Sequence, residues 1–557
     1  MGPRALRVVD PRRLTMRSAH RPPHFEGLYF DEFADDSAWI REHGLVRLPP
    51  LEDTTAFVLE GEFLAHPEAR GLEAGPLGAD VWVDGRRVAR LRALKPGKFE
   101  VRFAAKSAAA GHRPVLRIRL HGTARTNFLA WLGRAAAGWP GAGAWQRFRQ
   151  QNKNRQFRVG RLATAEGEVV FDFSNRHSPF SADFARRRTH LGLNIAGFLT
   201  ADLGIGESAR CMVRAADAAG LATALVDAKL NCKNRRGDLA YQSRLTERNP
   251  YPVNVVHLDP PASRDLDHHH PGFRAGKYNI GYWAWELPEF PDAWLPYFDY
   301  FDEIWCPSEF TREAIALKSP VPVLAMPHSI SFPVPTEPRA ALRARLGLPA
   351  EPYLFLALFD LNSYAERKNP RAALAAFRAS GLAGQGAGLV IKVQNAAGNP
   401  EDLAGLQAAV RDLPGTVLLT ETLSREDIYA LEAACDAFVS LHRAEGFGLA
   451  VAESMFLGHP VISTDWSATA EFVTADNGCP VRATPIPLEK NHGPYSRGQV
   501  WAEPDVAQAA EWMRRLFADR TLGARLGAAA RTTIVQRFAP AVIGARYRRR
   551  LEVIATW

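Results

Sequence analysis

Two glutamates in an unusual setting are the first candidates for chemistry. Glu445 and Glu453 stand eight positions apart in the segment HRAEGFGLAVAES, which is otherwise mostly glycine and apolar residues. A carboxylate withdrawn from water needs a partner, so the pair could bind a metal, share a proton or accept hydrogen bonds from hydroxyl groups. No further Asp or His is spaced as a metal co-ligand, and spacing alone cannot place two carboxylates across one scissile bond. Hydrogen bonding to hydroxyl groups is therefore the simplest use of the pair.

A pair of cations precedes the helical pattern in the segment SYAERKNPRAALAAF. Pro370 suits the first position of a helix and Asn369 suits the N-cap, which puts Arg367 and Lys368 in a loop just before the helix. Cations are unfavourable beside the positive end of a helix dipole, and an anion bound there removes the conflict. A diphosphate fits, because arginine offers a planar fork and lysine a point charge. The alternative is two solvated charges in a loop.

A pair of glycines occurs in the segment GFLTADLGIGES. Gly204 and Gly206 come just before a stretch whose apolar residues have helical spacing. Glycines at this point let a ligand approach the free N–H groups of the helix start. The segment lacks the third glycine and the acidic residue of dinucleotide-binding loops. A tight turn without a ligand is therefore an equally good interpretation.

The first of the segments that surround these residues is β-rich. Residues 1–187 contain short alternating runs such as VLRIRL and KFEVRF, and Asp84-Gly85 lies between two such runs as a hairpin signal. Short strands separated by turns predict a β-sandwich-like accessory domain. The stretch 136–145, AAGWPGAGAW, is typical of a linker or an irregular excursion of the chain.

The rest of the chain alternates strands with helices. Residues 188–335 and 336–540 each show this alternation, which predicts a parallel sheet with helices on both faces, and residues 541–557 read as a C-terminal helix. The fold class is therefore α/β, with two such domains after the β-sandwich-like domain. Ligands bind at the carboxyl ends of the strands in sheets of this kind, where the candidate loops lie.

Four stretches in order resemble the group 1 (family 4) glycosyltransferases. They are GIGESAR, DEIWCPSEFTREAI, RKNP with the preceding Ser363, and the two glutamates followed by HPVISTDWSATAEFV. The resemblance spans roughly residues 190–557. It implies the GT-B fold of two Rossmann-like domains, with the C-terminal helix returning to the first of them. It also implies sugar transfer from a nucleotide-diphosphate donor with retained anomeric configuration, without a cofactor or a required metal.

The resemblance also implies roles for individual residues. Arg367 and Lys368 would neutralise the diphosphate, and Glu445, counted with them as catalytic, would bind the sugar hydroxyl groups. Glu453 would bind the donor ribose. The other residues that the resemblance assigns to the donor site are Gly204, Gly206, Ser363, Gly446, Phe447 and Gly448. Cations placed where the leaving diphosphate develops charge lower the barrier of such a transfer.

The acceptor side departs from the family. Many members carry a histidine near the end of a strand in the first domain, whereas the comparable strand here reads YNIGYWAWELPEF. Trp283 and Trp285 could stack on a sugar ring, and Glu286 could act as a base toward an acceptor hydroxyl. The alternative is aromatic packing beneath the cleft. His257 is a further acceptor-side candidate, with a structural histidine as the alternative.

Composition limits the compartment. With 46% hydrophobic and 23% charged residues in a chain of 557, the sequence is that of a soluble globular protein of several domains. No apolar run has the ~20 residues of a membrane span. The N-terminal stretch has charge without an apolar segment behind it, so we expect no secretory signal. Five widely spaced cysteines predict reduced thiols and a cytoplasmic protein.

The net charge of +9 has three interpretations. It could reflect an arginine-rich solvated surface, attachment of the basic tail to the inner face of a membrane, or nucleic acid, for which no fingerprint is present. The segment RDLDHHHPG has the residue types of a metal site, but we do not expect a metal in a loop flanked by proline.

These observations together predict a metal-independent, retaining hexosyltransferase of polysaccharide biosynthesis. Its partners would be a nucleotide sugar, with GDP-mannose as one candidate, and a glycan or lipid-linked glycan acceptor. Two alternatives stay open. One is a GT-B-like nucleotide-sugar epimerase or hydrolase, which would share the cations and glutamates. The other is a non-enzymatic carbohydrate-binding protein that depends on the N-terminal domain.

Overall fold

The computed structural model describes twelve stretches of the chain. They are residues 25–30, 38–49, 51, 53–63, 78–92, 96–108, 113–121, 157–174, 181, 191–232, 234–275 and 277–555. Two compact units are present, one of Met1–Leu191 with Arg549–Trp557 and one of Gly192–Arg548. The stretch 136–145, predicted as a linker, lies outside the described residues.

The N-terminal unit is antiparallel and β-rich, as predicted. Its described strands run in the hydrogen-bonded order β5-β4-β7-β2-β8-β3-β6, with β1 beside β2 and β9 beside β8. Their bounds are β1 Phe25–Phe30, β2 Ala38–Arg47, β3 Thr55–Phe63, β4 Gly78–Val83, β5 Arg86–Leu91, β6 Gly97–Ala105, β7 Val115–His121, β8 Phe157–Thr164 and β9 Val169–Asp172.

One core lies inside this sheet. Alternate residues of the strands face it, and both end strands contribute to it, Ala89 from β5 and Val101 from β6. A single sheet whose two ends pack on the same core must curl over on itself, which is the sandwich-like arrangement. The hairpin signal is confirmed, because Asp84 (φ 46°) and Gly85 (φ 78°) form the turn between β4 and β5.

The second unit begins with a parallel six-stranded sheet in the order β11-β10-β12-β13-β14-β15. Its four middle strands are buried along their whole length, as expected when helices cover both faces. The elements are β10 Gly192–Gly197, α1 Gly204–Ala218, β11 Ala222–Asp227, β12 Val253–His257, α2 Pro260–His269, β13 Tyr278–Tyr282, β14 Glu303–Cys306, α3 Glu309–Ala316 and β15 Val323–Ala325, with 3-10 helices at Gln242–Arg244 and Asp292–Tyr300.

A second parallel sheet of six strands follows, in the order β18-β17-β16-β19-β20-β21. Its strands are β16 Tyr353–Asp360, β17 Ala387–Gln394, β18 Thr416–Leu419, β19 Ala437–Ser440, β20 Val461–Thr464 and β21 Cys479–Val481. A separate antiparallel hairpin consists of β22 Ala483–Pro487 and β23 Val500–Pro504.

Helices surround this second sheet. They are α4 Arg339–Arg345, α5 Ala365–Lys368, α6 Pro370–Ser380, α7 Pro400–Arg411, α8 Arg425–Ala434, α9 Leu449–Leu457, α10 Val506–Ala518, α11 Arg520–Phe538 and α12 Pro540–Ala555, with 3-10 helices at Leu361–Ser363, Ala396–Gly398 and Ser467–Glu471. The part of α12 up to residue 548 packs on the first sheet's domain, where Tyr547 stacks on Trp305 at 5.1 Å. Two Rossmann-like domains in tandem are the predicted fold class.

Several direct contacts join the two Rossmann-like domains. Ser308, which caps α3, donates to the carbonyl of Gly446 at 2.7 Å. The carboxylate of Glu471 accepts the N–H groups of Glu309 and Phe310 at the start of the same helix. A carboxylate at a helix N-terminus is a favourable ion–dipole contact.

In the described part of the chain, no helix combines the length and the apolar character that crossing a membrane requires. All five cysteines are free thiols, as the sequence predicts.

Candidate functional site

A cavity of about 1580 Å³ lies between the two Rossmann-like domains. Residues that follow β10, β12 and β13 line one side of it, and residues that follow β16 and β19 line the other. The carboxyl ends of parallel strands from both sheets therefore meet at one cleft, which is where such folds bind ligands.

The two predicted cations lie in this cleft together with Glu445. Lys368 Nζ is 2.5 Å from Glu445 Oε1, and Arg367 Nη1 is 3.4 Å from Glu445 Oε2. Arg367 is also fixed by a bond of 2.9 Å from Nη1 to the carbonyl of Ala444. The two cations and this carboxylate form a compact ionic cluster on the wall of the cleft.

The local backbone differs from the predicted loop. Arg367 and Lys368 lie in the single-turn helix α5, and Asn369 follows in the left-handed conformation (φ 52°) without a side-chain capping bond. Asn369 is the N-cap of α6 and Pro370 its first residue, as predicted, but the Asn369 side chain makes no capping bond. The turn of helix brings the cations to the cleft because Arg443, which follows β19, donates from its backbone N–H to the carbonyl of Arg367 at 2.8 Å.

The charges in this cluster are strongly coupled. Burial disfavours the carboxylate of Glu445, but Lys368 and Arg367 outweigh burial and lower the pKa of Glu445 to about 2. Burial lowers the pKa of Lys368, and Glu445 opposes that shift. Burial also disfavours the charged form of Arg367, yet Tyr495, Glu286 and Glu445 raise its pKa. The cluster is thus held ionised by its own members.

Glu453 lies on the second turn of α9, as predicted, and is buried. Its partner is Arg425, which begins α8, and Arg425 Nε also lies 3.7 Å from Glu207 Oε2 in the first Rossmann-like domain. Burial and Glu207 raise the pKa of Glu453 to about 7, against the attraction of Arg425. Neither Arg425 nor Glu207 was a predicted site residue, because only the tertiary structure brings their helices together.

The remaining donor-side candidates either line the cavity or pack behind its wall. Ser363, Gly204 and the run from Gly446 to Gly448 line the cavity. Gly448 (φ 92°) is the N-cap of α9, a position that only glycine adopts readily. The Phe447 ring is buried and meets His328 edge-on at 4.7 Å, so that side chain also supports the wall.

The two predicted glycines lie inside the helix rather than before it. Gly204 and Gly206 are the first and third residues of α1, and Gly206 is not on the cavity wall. A Cβ on Gly206 would lie 2.6 Å from the carbonyl of Ala201, so close packing explains the glycine. Gly206 is thus a predicted donor-site residue that does not line the cavity.

The two tryptophans predicted for the acceptor side differ in whether they border the cavity. Trp283 is fully buried and packs against Phe290, Phe298 and Phe301, away from the cavity. Its predicted stacking on a sugar is therefore wrong, and aromatic packing beneath the cleft is the correct reading. Trp285 borders the cavity, but only 1% of it is exposed. Too little of its ring is free to stack on a sugar.

Glu286 and His257 do reach the cavity. Glu286 Oε2 accepts a hydrogen bond of 2.9 Å from the Tyr495 hydroxyl, and Glu286 Oε1 is 3.9 Å from Arg367 Nη2. His257 Nε2 is 2.7 Å from Ser208 Oγ, and its ring stacks on Tyr282 at 4.2 Å. Burial lowers the pKa of His257 to about 3, so the imidazole is neutral. His257 is thus fixed in a buried polar network at the edge of the cleft.

The histidine-rich segment that could be read as a metal site forms part of helix α2 and its C-terminal end. Asp267 within it pairs with Arg274. Among the residues that the structure describes, no three His, Cys, Asp or Glu side chains are gathered so that they could hold a metal ion.

One family model matches part of the chain. Residues 339–533 match the family model described as glycosyl transferases group 1. No curated protein matches the sequence. The matched segment is roughly a third of the chain, and it contains the cations and both glutamates.

Solved structures with a similar fold cover about two thirds of the chain. Anabaena Alr3699/HepE in complex with UDP and glucose has a TM-score of 0.50 and 14% identity, covering 65% of this chain and 100% of that one. Sucrose-phosphate synthase from Thermosynechococcus elongatus has a TM-score of 0.47 and 15% identity, covering 65% and 99%. The lipopolysaccharide outer core galactosyltransferase WaaB has a TM-score of 0.45 and 12% identity, covering 66% and 100%.

The likeness to the Anabaena structure shows the fold alone, which is GT-B. Arg367, Lys368, Glu445 and Glu453 therefore lie at the interdomain cleft of a GT-B fold, in a segment with the sequence pattern of the glycosyl transferases group 1.

Proposed function

We propose that the protein is a retaining, metal-independent glycosyltransferase of family 4. It would transfer a hexose from a nucleotide-diphosphate donor to a glycan or lipid-linked glycan. The observation that carries this proposal is the Arg367–Lys368 pair at the GT-B cleft, within the segment that matches the family model. Glu445 and Ala444 hold the pair in place at the cleft wall before any diphosphate binds.

The proposed reaction assigns each side of the cleft a task. The acceptor hydroxyl oxygen forms a bond to the anomeric carbon as the bond from that carbon to the diphosphate oxygen breaks. The electron pair stays with the diphosphate, where Arg367 and Lys368 stabilise the charge. Glu286 receives the hydroxyl proton on the acceptor side. Glu453 accepts hydrogen bonds from the donor ribose, and Glu445 from the sugar.

A nucleotide panel tests the donor half. The panel consists of UDP, GDP, ADP and their sugar conjugates, with GDP-mannose among them. At least one of these nucleotides should raise the melting temperature of the full chain. Arg367→Ala and Lys368→Met should lower its affinity at least tenfold, because each removes a charge from the diphosphate site. Arg411→Ala and Lys490→Met alter exposed residues outside the cavity and serve as matched controls. Wild-type affinity in both cleft variants would reject the donor site.

Product analysis tests the reaction class. Incubation with the stabilising donor and a glycan acceptor pool should give a product whose anomeric configuration is that of the donor. Turnover should survive a chelator. Full turnover without an acceptor would instead support an epimerase or hydrolase. Loss of product with the chelator would overturn the metal-independent mechanism.

The location of the protein is part of the proposal. We place the enzyme in the cytoplasm, with the basic C-terminal residues Arg546, Arg548, Arg549 and Arg550 able to approach an anionic inner membrane face. Co-sedimentation of the full chain with vesicles of anionic, but not neutral, lipid tests this attachment.

A further inference from the structure

An exposed aromatic face lies on the acceptor side of the cleft, where Trp283 and Trp285 are buried. Trp294, in the 3-10 helix Asp292–Tyr300, lines the cavity and is half-buried. Its ring is held edge-on by Trp285 at 5.1 Å and by Phe290 at 5.7 Å, and both of those rings are buried. The surface that Trp294 leaves uncovered is therefore fixed in orientation beside the reaction centre.

Glu286, on the same side, is oriented by the other Rossmann-like domain. Tyr495 lies between β22 and β23 and donates to Glu286 Oε2 at 2.9 Å. The Tyr495 ring is buried between Trp285 at 5.4 Å and Tyr364 at 5.5 Å, so its hydroxyl has little freedom. Glu286 Oε1, at 3.9 Å from Arg367, faces the donor cations. Tyr495 thus fixes the carboxylate at the junction of the two halves of the cleft.

Asp259 adds a second carboxylate to this wall. It follows β12 directly and lines the same cavity. Its side chain is open to the cleft, and the cavity walls together with the like charge of Glu286 raise its pKa. Both carboxyl groups can hydrogen-bond to hydroxyl groups, and the Glu286 carboxylate repels phosphates and carboxylates.

We propose that Trp294, Asp259 and Glu286 form a subsite for a neutral sugar of the acceptor, with Tyr495 as the positioning residue for Glu286. The inference rests on the proposed function, since it assigns the acceptor class of that same cleft. An aromatic face suits the C–H face of a sugar ring, and carboxylates suit its hydroxyl groups. The terminal sugar that accepts the transfer is therefore uncharged, and sugars with a phosphate or carboxylate near this wall are excluded.

Saturation-transfer NMR with simple glycosides tests the subsite. The probes are the methyl α- and β-glycosides of glucose, galactose and mannose, set against the 6-phosphates of these sugars and methyl glucuronide. Each is added to the full chain with and without saturating UDP or GDP. At least one neutral glycoside should give a signal, and the charged sugars should give none. Absence of signal from every neutral glycoside, or equal signals from the charged sugars, would overturn the proposal.

Variants separate the subsite from general packing. Trp294→Ala should weaken the glycoside at least tenfold, whereas Trp294→Phe should keep most of the affinity. Trp512→Ala removes another half-buried tryptophan, outside the cavity, and should leave glycoside binding unchanged. Tyr495→Phe keeps the buried ring and should weaken glycoside binding several-fold without lowering the melting temperature by more than about 2 °C. Unchanged binding in Trp294→Ala or in Tyr495→Phe would reject the role of that residue.

The measurements with and without nucleotide distinguish a failure of the subsite from a failure of the proposed function. If UDP or GDP binds through Arg367 and Lys368 while no neutral glycoside binds, the donor site stands and the subsite is rejected. If a glycoside binds through Trp294 while no nucleotide binds, the subsite stands and glycosyl transfer is rejected.

Discussion

At the level of single residues, the carboxylate of Glu445 partly neutralises the charges of Lys368 and Arg367. It therefore competes with any bound anion for these two cations. We expect Glu445→Gln to bind UDP or GDP about tenfold more tightly, or about 1.4 kcal/mol, because one negative charge near the diphosphate is removed. Without nucleotide the variant should be less stable by about 3 kcal/mol, since two buried cations lose their partner. Titration calorimetry and thermal melts check both effects.

The acid range provides a second check on Glu445. The pKa of Glu445 is lowered to about 2, so its stabilising contribution is fully present above its ordinary value and is lost as the pH falls toward 2. The stability difference between wild type and Glu445→Gln should therefore be constant above pH 5 and shrink below it. Glu401→Gln alters an exposed glutamate and is the matched control. Weaker nucleotide binding in Glu445→Gln would show that Glu445 itself attracts the nucleotide, contrary to this account.

At the scale of elements, the position of Glu453 depends on how α9 packs against α11. Gly458 ends α9 (φ 85°), and a Cβ on Gly527 of α11 would lie 1.9 Å from its carbonyl oxygen. A Cβ on Gly523, one turn earlier, would meet nothing closer than 3.7 Å. The two helices are therefore in backbone contact at Gly527, and Gly523 offers a control on the same helix.

We predict opposite effects for alanine at these two glycines. Gly527→Ala should destabilise the protein by about 1–3 kcal/mol, because α9 and α11 must separate. It should also weaken nucleotide binding, because α9 carries Glu453. Gly523→Ala should raise stability by up to about 1 kcal/mol through helix propensity alone. Thermal melts and nucleotide titrations of both variants are the measurements, and equal melting temperatures would contradict the close contact.

The elements were largely predictable from the sequence, whereas contacts between them were not. Periodicity and glycine at a helix end placed Glu453 on the second turn of α9 and ended that helix at Gly458. Local preference placed the N-cap at Asn369 but failed to indicate its left-handed backbone. It also failed among the tryptophans, because Trp283 and Trp294 both fit a core, and long-range packing alone decides that Trp283 is buried while Trp294 borders the cleft.

At the scale of the whole molecule, buried polar groups occur at the junction of the two Rossmann-like domains. Ser208 of α1 bonds His257, and His328 lies within 3.0 Å of the same hydroxyl and against Phe447 of the other domain. His442, in the second domain, lies between Ser440 and Thr469. A proton added to any of these rings would create a charge inside the fold, so the assembly should be sensitive to mild acid.

The pH dependence of stability follows from these histidines. Burial lowers the pKa of His257 and His328 to about 3 and that of His442 to about 4. Below the ordinary value the unfolded chain binds protons that the folded chain does not, so stability falls as the pH drops from about 6.5 toward those values. Between pH 6.5 and 5.5 each group costs about 1 kcal/mol, and each further pH unit down to its folded-state pKa costs about 1.4 kcal/mol.

We expect the melting temperature to fall steadily from pH 7 to pH 5 in calorimetric scans. His257→Gln should be less stable at pH 7, because it disturbs the contact with Ser208, yet its stability should depend less steeply on pH than that of wild type. His269→Gln alters an exposed histidine of α2 and should keep the wild-type slope. A wild-type slope in His257→Gln would mean that His257 is protonated in the folded protein. In that case its ring would carry a charge beside the cleft, and the neutral network joining the domains would not exist.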